Sequence, residues 1–281
     1  NLLSTINNLR AADLAAVIQD LSPKRRLEVV RALDDERLAD VLQEMDERER
    51  VALLAELEGE RAADVLGEMD PDDAADLLRE VGEERAQVLI ELMEPGDAEG
   101  VLRLMTYEDY SAGGMMTTEP IVMSADYSVA DALASVRTRE VSPALASQVF
   151  VCRQPLETPT GRYIGAVHYQ RLLREPPSTL LGAIVDTDTQ GLNPNASLHE
   201  VSSYLASYNL LSVPIVDGND RLLGAVTVDD VLDHLLPENW RLEHRDSTRG
   251  TGPTLNLADV SGVELNSEDI ALDKSMEEEV R

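Results

Sequence analysis

The sequence is poor in cysteine, in aromatic residues and in basic residues. Its single cysteine, Cys152, excludes an internal disulfide and lies in an apolar run, which is typical of a small core residue in a reducing compartment. One Trp, one Phe and seven Tyr offer few platforms for base stacking, and 54 acidic against 24 basic residues give a formal charge of −30. Because such a chain repels phosphate backbones, we expect no binding to nucleic acid.

Long hydrophobic runs are also missing. The longest uncharged stretch, 201–216, is interrupted by Asn209 and Pro214 and falls short of the roughly 20 apolar residues that a membrane helix needs. We therefore expect no direct insertion of this chain into a membrane. The four histidines are scattered without metal-ligand spacing, and no nucleophile–base motif or phosphate-binding loop is found. We expect no catalytic residues and no enzyme.

The negative charge is divided evenly along the chain. Residues 1–105 and residues 106–281 each contain 27 acidic and 12 basic residues, so each part carries −15. Two folded parts of equal sign repel each other unless salt screens them or a cation lies between them. For any single carboxylate the alternative is a solvated surface group that keeps the protein soluble.

A twelve-residue repeat fills the first part. Eight units run from Arg10 to Met105, and every unit has apolar residues at positions 8, 9 and 12. Together with position 5 these residues form one helical face, so each unit is predicted to be one short helix. Proline at 23, 71 and 95 marks helix starts, where its missing N–H costs nothing.

These helices are predicted to stack. A helix of about nine residues is not stable alone in water, so we expect the units to form a small α-solenoid. Position 5 alternates between leucine and arginine in the first four units, which suggests that the helices pair into hairpins of 24 residues.

Two copies of a strand–helix unit follow the repeat. In the second copy, strands at 212–216 and 222–226 flank a turn, and a helix begins near Thr227. A looser first copy has strands at 148–152 and 163–168 and is about ten residues longer in its middle.

The second copy resembles a CBS (cystathionine-β-synthase) motif. It contains VPIVD at 213–217 and GAVTVDD at 224–230, which match the family's hydrophobic-Pro-hydrophobic-hydrophobic-Asp turn and its G-hydrophobic-hydrophobic-T-x-x-D signature. The first copy departs from that signature, since His168 and Arg171 replace the threonine and the aspartate. Two such motifs normally pair into one CBS (Bateman) module.

The order of the parts is more specific than either part. A junction with the pattern Y-x-x-x-S-A-G-x-x-M-T spans 107–117. An acidic helical repeat, this junction and a CBS pair ending in TVDDVLD at 227–233 resemble, in that order, the cytosolic portion of MgtE-type magnesium channels or transporters, or a soluble relative.

We accordingly expect a multidomain fold, an N-terminal α-solenoid of short helices followed by a tandem CBS module of the α/β class. The expected boundaries are 1–106 for the helical-repeat domain, 107–118 for the junction, 119–178 for CBS motif 1, 179–240 for CBS motif 2, and 241–281 for an acidic C-terminal tail.

The resemblance implies a Mg²⁺-sensing regulatory module. Several Mg²⁺ ions would bridge acidic surfaces of the helical domain and the CBS pair and so gate transport. The partner would be the channel's membrane domain, in the same or another chain, and the CBS helices would form a homodimer. The module would be cytoplasmic, associated with the membrane as part of a channel. The alternative is a stand-alone soluble CBS protein that binds an adenine nucleotide and a protein partner.

Two acidic clusters are the candidate metal ligands. Asp72, Asp73 and Asp76 lie at i, i+1 and i+4 of one unit, and aspartates at 229, 230 and 233 repeat that spacing. Like charges three or four residues apart share a helix face and repel, which a divalent cation would relieve. The candidate set is Asp72, Asp73, Asp76, Asp217, Asp229 and Asp233, where Asp217 and Asp229 align with acidic positions of the family. Solvated surface remains the alternative.

A nucleotide site is predicted at the second CBS motif. By resemblance, Thr227 would meet the phosphate and Asp230 would accept hydrogen bonds from the ribose, with ATP or another adenine nucleotide as the ligand. One site is expected rather than two because the first copy lacks this pair. Alternatively, Thr227 only caps its helix.

Overall fold

The structure, a computed structural model, describes residues 9–137 and 141–236. The predicted acidic tail, 241–281, lies outside the described residues. The described chain divides into two compact units, residues 9–69 and residues 70–236. Helices of the repeat occur in both units, and the second unit also contains the strands.

Helices follow the twelve-residue repeat without exception. The first unit contains α1 (Ala11–Asp20), α2 (Pro23–Ala32), α3 (Asp35–Gln43), α4 (Glu47–Glu56) and α5 (Gly59–Gly67). The second unit begins with α6 (Pro71–Glu80), α7 (Glu83–Leu92) and α8 (Pro95–Leu104). Their N-cap residues recur every twelve positions, at 10, 22, 34, 46, 58, 70, 82 and 94. Each predicted unit is therefore one helix.

Local chemistry explains where these helices begin. The side chains of Asp34 and Asp46 accept hydrogen bonds from the backbone N–H groups three residues later, and proline occupies the first turn of α2, α6 and α8. Gly82 precedes α7 at φ +87°, a left-handed conformation that glycine adopts without steric cost. Such starts satisfy or remove N–H groups that have no partner within the helix.

Alternate helices pack together, whereas the pairing of neighbouring helices into 24-residue hairpins stays a prediction. In the first unit α1 contacts α3 and α3 contacts α5, and in the second unit α6 contacts α8. Positions 5 and 9 of the repeat are buried in α1, α3 and α5, where they are Leu14, Ile18, Leu38, Leu42, Ala62 and Leu66. Burying these side chains stabilises helices that are too short to persist alone.

An arginine at position 4 ties the stacked helices of the first unit together. The Arg61 guanidinium donates to the carbonyl oxygens of Leu33 (2.7 Å) and Val30 (3.1 Å) and pairs with Asp35 (3.0 Å). Twenty-four residues earlier, Arg37 donates to the Leu9 carbonyl oxygen. In both cases the guanidinium reaches back 28 residues, past two helices, to a backbone carbonyl group that lies just before them.

Strands and helices of the two CBS copies complete the second unit. The first copy contains β1 (Val122–Met123), α9 (Val129–Val136), β2 (Gln148–Cys152), β3 (Tyr163–His168) and α10 (Tyr169–Leu172). The second contains α11 (Leu198–Tyr208), β4 (Ser212–Val216), β5 (Leu222–Thr227) and α12 (Val228–Leu235). β2 pairs with β1 in parallel and with β3 antiparallel, and β4 pairs with β5 antiparallel.

Strand β2 separates two cores. Val149 and Val151 point into a cluster of the first copy that includes Val167. The alternate residues, Phe150 and Cys152, pack in a cluster that also contains Leu222 and Ala225 of the second copy and so joins the two copies. Cys152 is thus a small core residue, as predicted, and burial raises the pKa of its thiol to about 11.

The extra length of the first copy is divided between two places. Its hairpin loop between β2 and β3 runs over 153–162, ten residues, whereas the corresponding loop of the second copy, 217–221, has five. The remainder lies between α9 and β2. Across the described residues, no helix is both long and apolar enough to cross a membrane.

Substituting Arg61 with methionine should destabilise the protein by about 2 kcal/mol, because two carbonyl groups and the Asp35 carboxylate lose a charged partner. Methionine retains most of the apolar stem. Urea unfolding measures the change, and Arg48→Met, at an exposed position of α4, is the control. Equal free energies of unfolding for the two variants would contradict the role given to Arg61.

Candidate functional site

The first turn of α6 contains a buried carboxylate. Position 3 of the repeat is exposed in the other seven units, but in this unit it is Asp72, whose exposed fraction is 7%. Its Oδ1 atom is buried and accepts no hydrogen bond. A buried, unpartnered carboxylate oxygen is costly in free energy, so its surroundings call for a physical account.

The start of α12 presents the opposing carboxylate. Thr227 and Asp230 form a capping box: the Asp230 Oδ2 atom accepts from the Thr227 backbone N–H (3.3 Å) and hydroxyl (2.5 Å), and the Thr227 hydroxyl accepts from the Asp230 N–H. Thr227 and Asp230, the pair predicted to bind a nucleotide, are thus hydrogen-bonded to each other and cap α12, which was the alternative interpretation of Thr227.

Asp72 and Asp230 lie close enough to perturb one another. Burial, followed by the charge of Asp230, holds the pKa of Asp72 well above its usual range. Burial, together with the charges of Asp229 and Asp70, raises the pKa of Asp230 to about 7 against the lowering effect of the Thr227 hydrogen bonds. Two carboxyl groups from different parts of the fold therefore share a poorly solvated space, and both pKa values are raised toward or beyond neutral pH.

The other predicted metal ligands are distributed around this pair. The charge of Asp73 raises the pKa of Asp72, and the charge of Asp229 raises that of Asp230. Asp233 is exposed further along α12. Asp76 forms a salt bridge of 2.6 Å with Arg79, so its charge is already compensated by an arginine side chain.

Asp217 lies elsewhere, on the β4–β5 turn. The Arg221 side chain pairs with it at 2.7 Å, and backbone N–H groups of Asn219 and Arg221 donate to it. Burial alone would raise the pKa of Asp217, but these hydrogen bonds lower it. Within the described ranges, no group of three or more His, Cys, Asp or Glu side chains is arranged to enclose a metal ion.

Sequence reasoning did not include two acidic residues of this region. Asp70, the N-cap residue of α6, raises the pKa of both Asp72 and Asp230. Burial and the charges of Asp70 and Asp97 raise the pKa of Glu119. The run Asp70-Pro71-Asp72-Asp73, with acids on both sides of a helix-starting proline, is the sequence signal that could have indicated Asp70.

The junction positions α6 relative to the second CBS copy. The Arg79 guanidinium donates to the carbonyl oxygens of Leu104 (3.0 Å) and Tyr107 (3.3 Å) and pairs with Asp109 (3.0 Å). Further along, Thr117 and Ala225 exchange backbone hydrogen bonds of 2.9 and 3.0 Å, which adds the junction to the edge of β5. These contacts place the Asp72 end of α6 near the start of α12.

The spacing of the junction motif has a steric cause. A Cβ atom on Gly113 would lie 2.6 Å from the Tyr107 ring, so the ring and the chain can approach closely only if this residue is glycine. The Gly113 N–H then donates to the Pro194 carbonyl oxygen at 2.7 Å, and the Ala112 N–H donates to that of Ala196 at 2.8 Å. The motif therefore attaches α6 and α8 to the second CBS copy.

A separate cleft of about 590 Å³ lies between the two CBS copies. Its wall includes Arg137 and His168, the aromatic rings of Tyr169 and Tyr208, and Leu211. None of the described lining residues is acidic, which is unusual in a protein of charge −30. Neither Thr227 nor Asp230 lines this cleft, which instead lies at the position where the first copy departs from the CBS signature.

A helical-repeat domain joined to a CBS pair defines the class of this chain, and comparison with known families agrees. Residues 9–110 match the MgtE intracellular N domain, and residues 181–237 match the CBS domain. The predicted fold class and the resemblance to the cytosolic portion of MgtE-type magnesium transporters are both confirmed. The first of these families is the intracellular domain of a magnesium transporter and is not an enzyme family.

Curated relatives are magnesium transporters named MgtE. The chain is 29% identical over 130 residues to that of Enterococcus faecalis, which covers 46% of this chain and 28% of the relative. It is 30% identical over 135 residues to that of Thermus thermophilus, which covers 48% and 29% respectively. The matched region thus spans under a third of these relatives.

Two solved structures share the fold over most of this chain. The soluble part of a magnesium transporter superposes with a TM-score of 0.76 at 26% identity and covers 83% of this chain and 90% of that one. The cytosolic domain of the Mg²⁺ channel MgtE in complex with ATP gives 0.73 at 28% identity and covers 83% and 93%.

Without divalent cations, stability should fall as the pH rises from about 4 to about 7. The folded state holds protons on Asp72 and Asp230 that the unfolded chain has already released, so ionisation of this pair penalises folding in this range. Asp72→Asn should flatten this slope. The measurement is urea unfolding across the pH range.

Glu84→Gln is the matched control, since residue 84 occupies the same repeat position but is exposed; it should keep the wild-type slope. An Asp72→Asn variant that loses stability with pH as steeply as the wild type would show that the pair does not titrate as described.

Proposed function

We propose that this chain is a Mg²⁺-sensing regulatory module of a magnesium channel or transporter. One observation carries the proposal: the buried Asp72 of α6 lies near the partly buried Asp230 of the CBS pair, and the pKa values of both are raised. A divalent cation between them would replace like-charge repulsion with attraction, so its concentration would decide how firmly the helical repeat is held on the CBS pair.

The donor set suits Mg²⁺. This ion requires oxygen ligands, retains several of its waters and is commonly bound by one or two carboxylates. Asp72 offers a buried Oδ1 atom without a hydrogen-bond partner, while both hydrogen bonds to the Asp230 carboxylate involve Oδ2. Two carboxylates with the remaining positions filled by water fit this geometry better than a cage made of protein side chains alone.

Several ions remain part of the proposal. Asp73 and Asp229 flank the pair, and Asp233 continues the acidic face of α12, so further ions would extend from the first site. At Asp76 and Asp217 an ion would have to displace an arginine, Arg79 or Arg221. We rank these two positions below the others.

The wider assembly follows from the relatives. They are named magnesium transporters, so we propose a channel membrane domain, in the same or another chain, as the partner, and a cytoplasmic location beside the membrane. Leu232 and Leu235 of α12 are 49% and 54% exposed, which supports a homodimer through the CBS helices.

Mg²⁺ should stabilise the protein more than NaCl of the same ionic strength does. At 100 times the dissociation constant, one site contributes about 2.7 kcal/mol. Asp72→Asn should act in two opposite ways, since it removes repulsion and so stabilises the cation-free protein, but it also removes the response to Mg²⁺. Thermal unfolding with and without Mg²⁺ measures both effects, and scattering reports any change in the radius of gyration.

Glu84→Gln again serves as the control and should respond to Mg²⁺ like the wild type. The proposal fails if NaCl reproduces the effect of Mg²⁺ on the wild type, or if Asp72→Asn responds to Mg²⁺ as the wild type does.

The cleft between the CBS copies supports adenine nucleotide binding as a second function. Arg137 and His168 can meet phosphate oxygens, and Tyr169 and Tyr208 offer faces on which a base can stack. A structural neighbour was crystallised in complex with ATP. We therefore favour this cleft over the pair Thr227 and Asp230, whose hydrogen bonds are made to each other.

Arg137→Gln should weaken ATP binding by roughly tenfold, because a charge-assisted contact to phosphate is lost. Titration calorimetry measures the affinity, and Arg174→Gln, at an exposed position that does not line the cleft, controls for the change in net charge. If Thr227→Val abolishes binding while Arg137→Gln leaves it unchanged, the nucleotide site belongs to the second CBS motif instead.

A further inference from the structure

The hairpin loop of the first CBS copy, 153–162, is fixed at its base. Thr160 is 1% exposed, its N–H donates to the Leu222 carbonyl oxygen (2.9 Å), and its hydroxyl accepts from the Leu222 N–H (3.1 Å). A Cβ atom on Gly161 would lie 2.3 Å from the Gln154 carbonyl oxygen, so the two sides of the loop are in close contact. The loop is therefore a rigid projection attached to β5.

This loop contacts the helical repeat directly. The Arg103 guanidinium, in the last turn of α8, donates to the Thr158 carbonyl oxygen at 2.7 Å. The Thr158 hydroxyl donates to the Thr118 carbonyl oxygen at 2.8 Å, which fixes the tip of the loop against the end of the junction. Both bonds are partly buried, and neither requires an ion.

The corresponding loop of the second copy makes different contacts. Its five residues, 217–221, are closed by the ion pair between Asp217 and Arg221. The added length of the first loop thus supplies the residue that reaches α8. Neither the CBS fold nor the proposed cation site requires this contact.

We propose that loop 153–162 is a cation-independent latch that holds α8 on the CBS pair and sets the Mg²⁺ concentration at which the helices α6–α8 are released. Its regulatory meaning rests on the proposed function. The latch through Arg103 and the cation between Asp72 and Asp230 restrain the same packed helices, because α6 contacts α8. Apparent ion affinity scales with the fraction of molecules already in the binding-competent arrangement, so a weaker latch raises the Mg²⁺ requirement.

Hydrogen–deuterium exchange of peptides from α8 and from 153–162, followed across a Mg²⁺ titration, tests the latch. Arg103→Gln should raise the Mg²⁺ midpoint by roughly three- to tenfold, the effect of losing one charge-assisted hydrogen bond. Arg103→Lys should restore part of the shift. Thr158→Val, which keeps the side-chain shape but loses the bond to Thr118, should shift the midpoint in the same direction with Arg103 intact.

Arg31→Gln is the matched control, because Arg31 occupies the same repeat position in α2 and is exposed. The latch is refuted if Arg103→Gln has the midpoint and the loop exchange of Arg31→Gln. If the wild type shows no Mg²⁺ response, the proposed function fails and the latch is judged from Mg²⁺-free exchange alone. In that case faster exchange of 153–162 in Arg103→Gln than in Arg31→Gln supports it, and equal exchange refutes it.

Discussion

The carboxyl groups of Asp72 and Asp230 are held near each other where burial and acidic neighbours oppose their ionisation, and the second unit must be rigid enough to keep them there. If either helix were free to move, its carboxyl group would turn toward water and ionise. Contacts elsewhere offset the free-energy cost of burying these groups: Arg79 attaches α6 to the junction, and the junction is hydrogen-bonded to β5. An acidic surface alone would not make such a site; the rigid frame around it does.

The same constraint gives the junction its importance. Residues 107–117 connect two domains in the chain, but they also form part of the second CBS copy through backbone hydrogen bonds. Any force generated between α6 and α12 therefore acts on a segment that is anchored at both ends. The close approach of Tyr107 and Gly113 makes that segment compact. A change in the electrostatic force between α6 and α12 is therefore transmitted to the second CBS copy with little deformation of the junction.

The sequence predicts local features well and distant juxtapositions poorly. Helix starts were predictable because the twelve-residue period, proline and N-cap aspartates act within a few residues, and the capping of α12 by Thr227 was one of two interpretations of the same motif. The resemblance predicts that acidic surfaces of the helical domain and the CBS pair meet, but not that Asp72 lies near Asp230. The sequence places the first among the metal ligands and the second among the nucleotide ligands, because spacing along a helix does not say what lies across from it. The division of the extra length of the first copy was also hidden, because loop length alone leaves the placement of added residues open.

Finally, the arginine ties of the first unit have a consequence for how such a solenoid can change in length. Arg37 and Arg61 each reach back 28 residues, past two complete helices, to satisfy a carbonyl group that lies just before those helices. The two arginines lie 24 residues apart, in α3 and α5, so these ties recur with the helix pair and not with the single twelve-residue helix. A change in length by 24 residues would therefore keep the spacing of 28 residues between such an arginine and a carbonyl group of the equivalent helix.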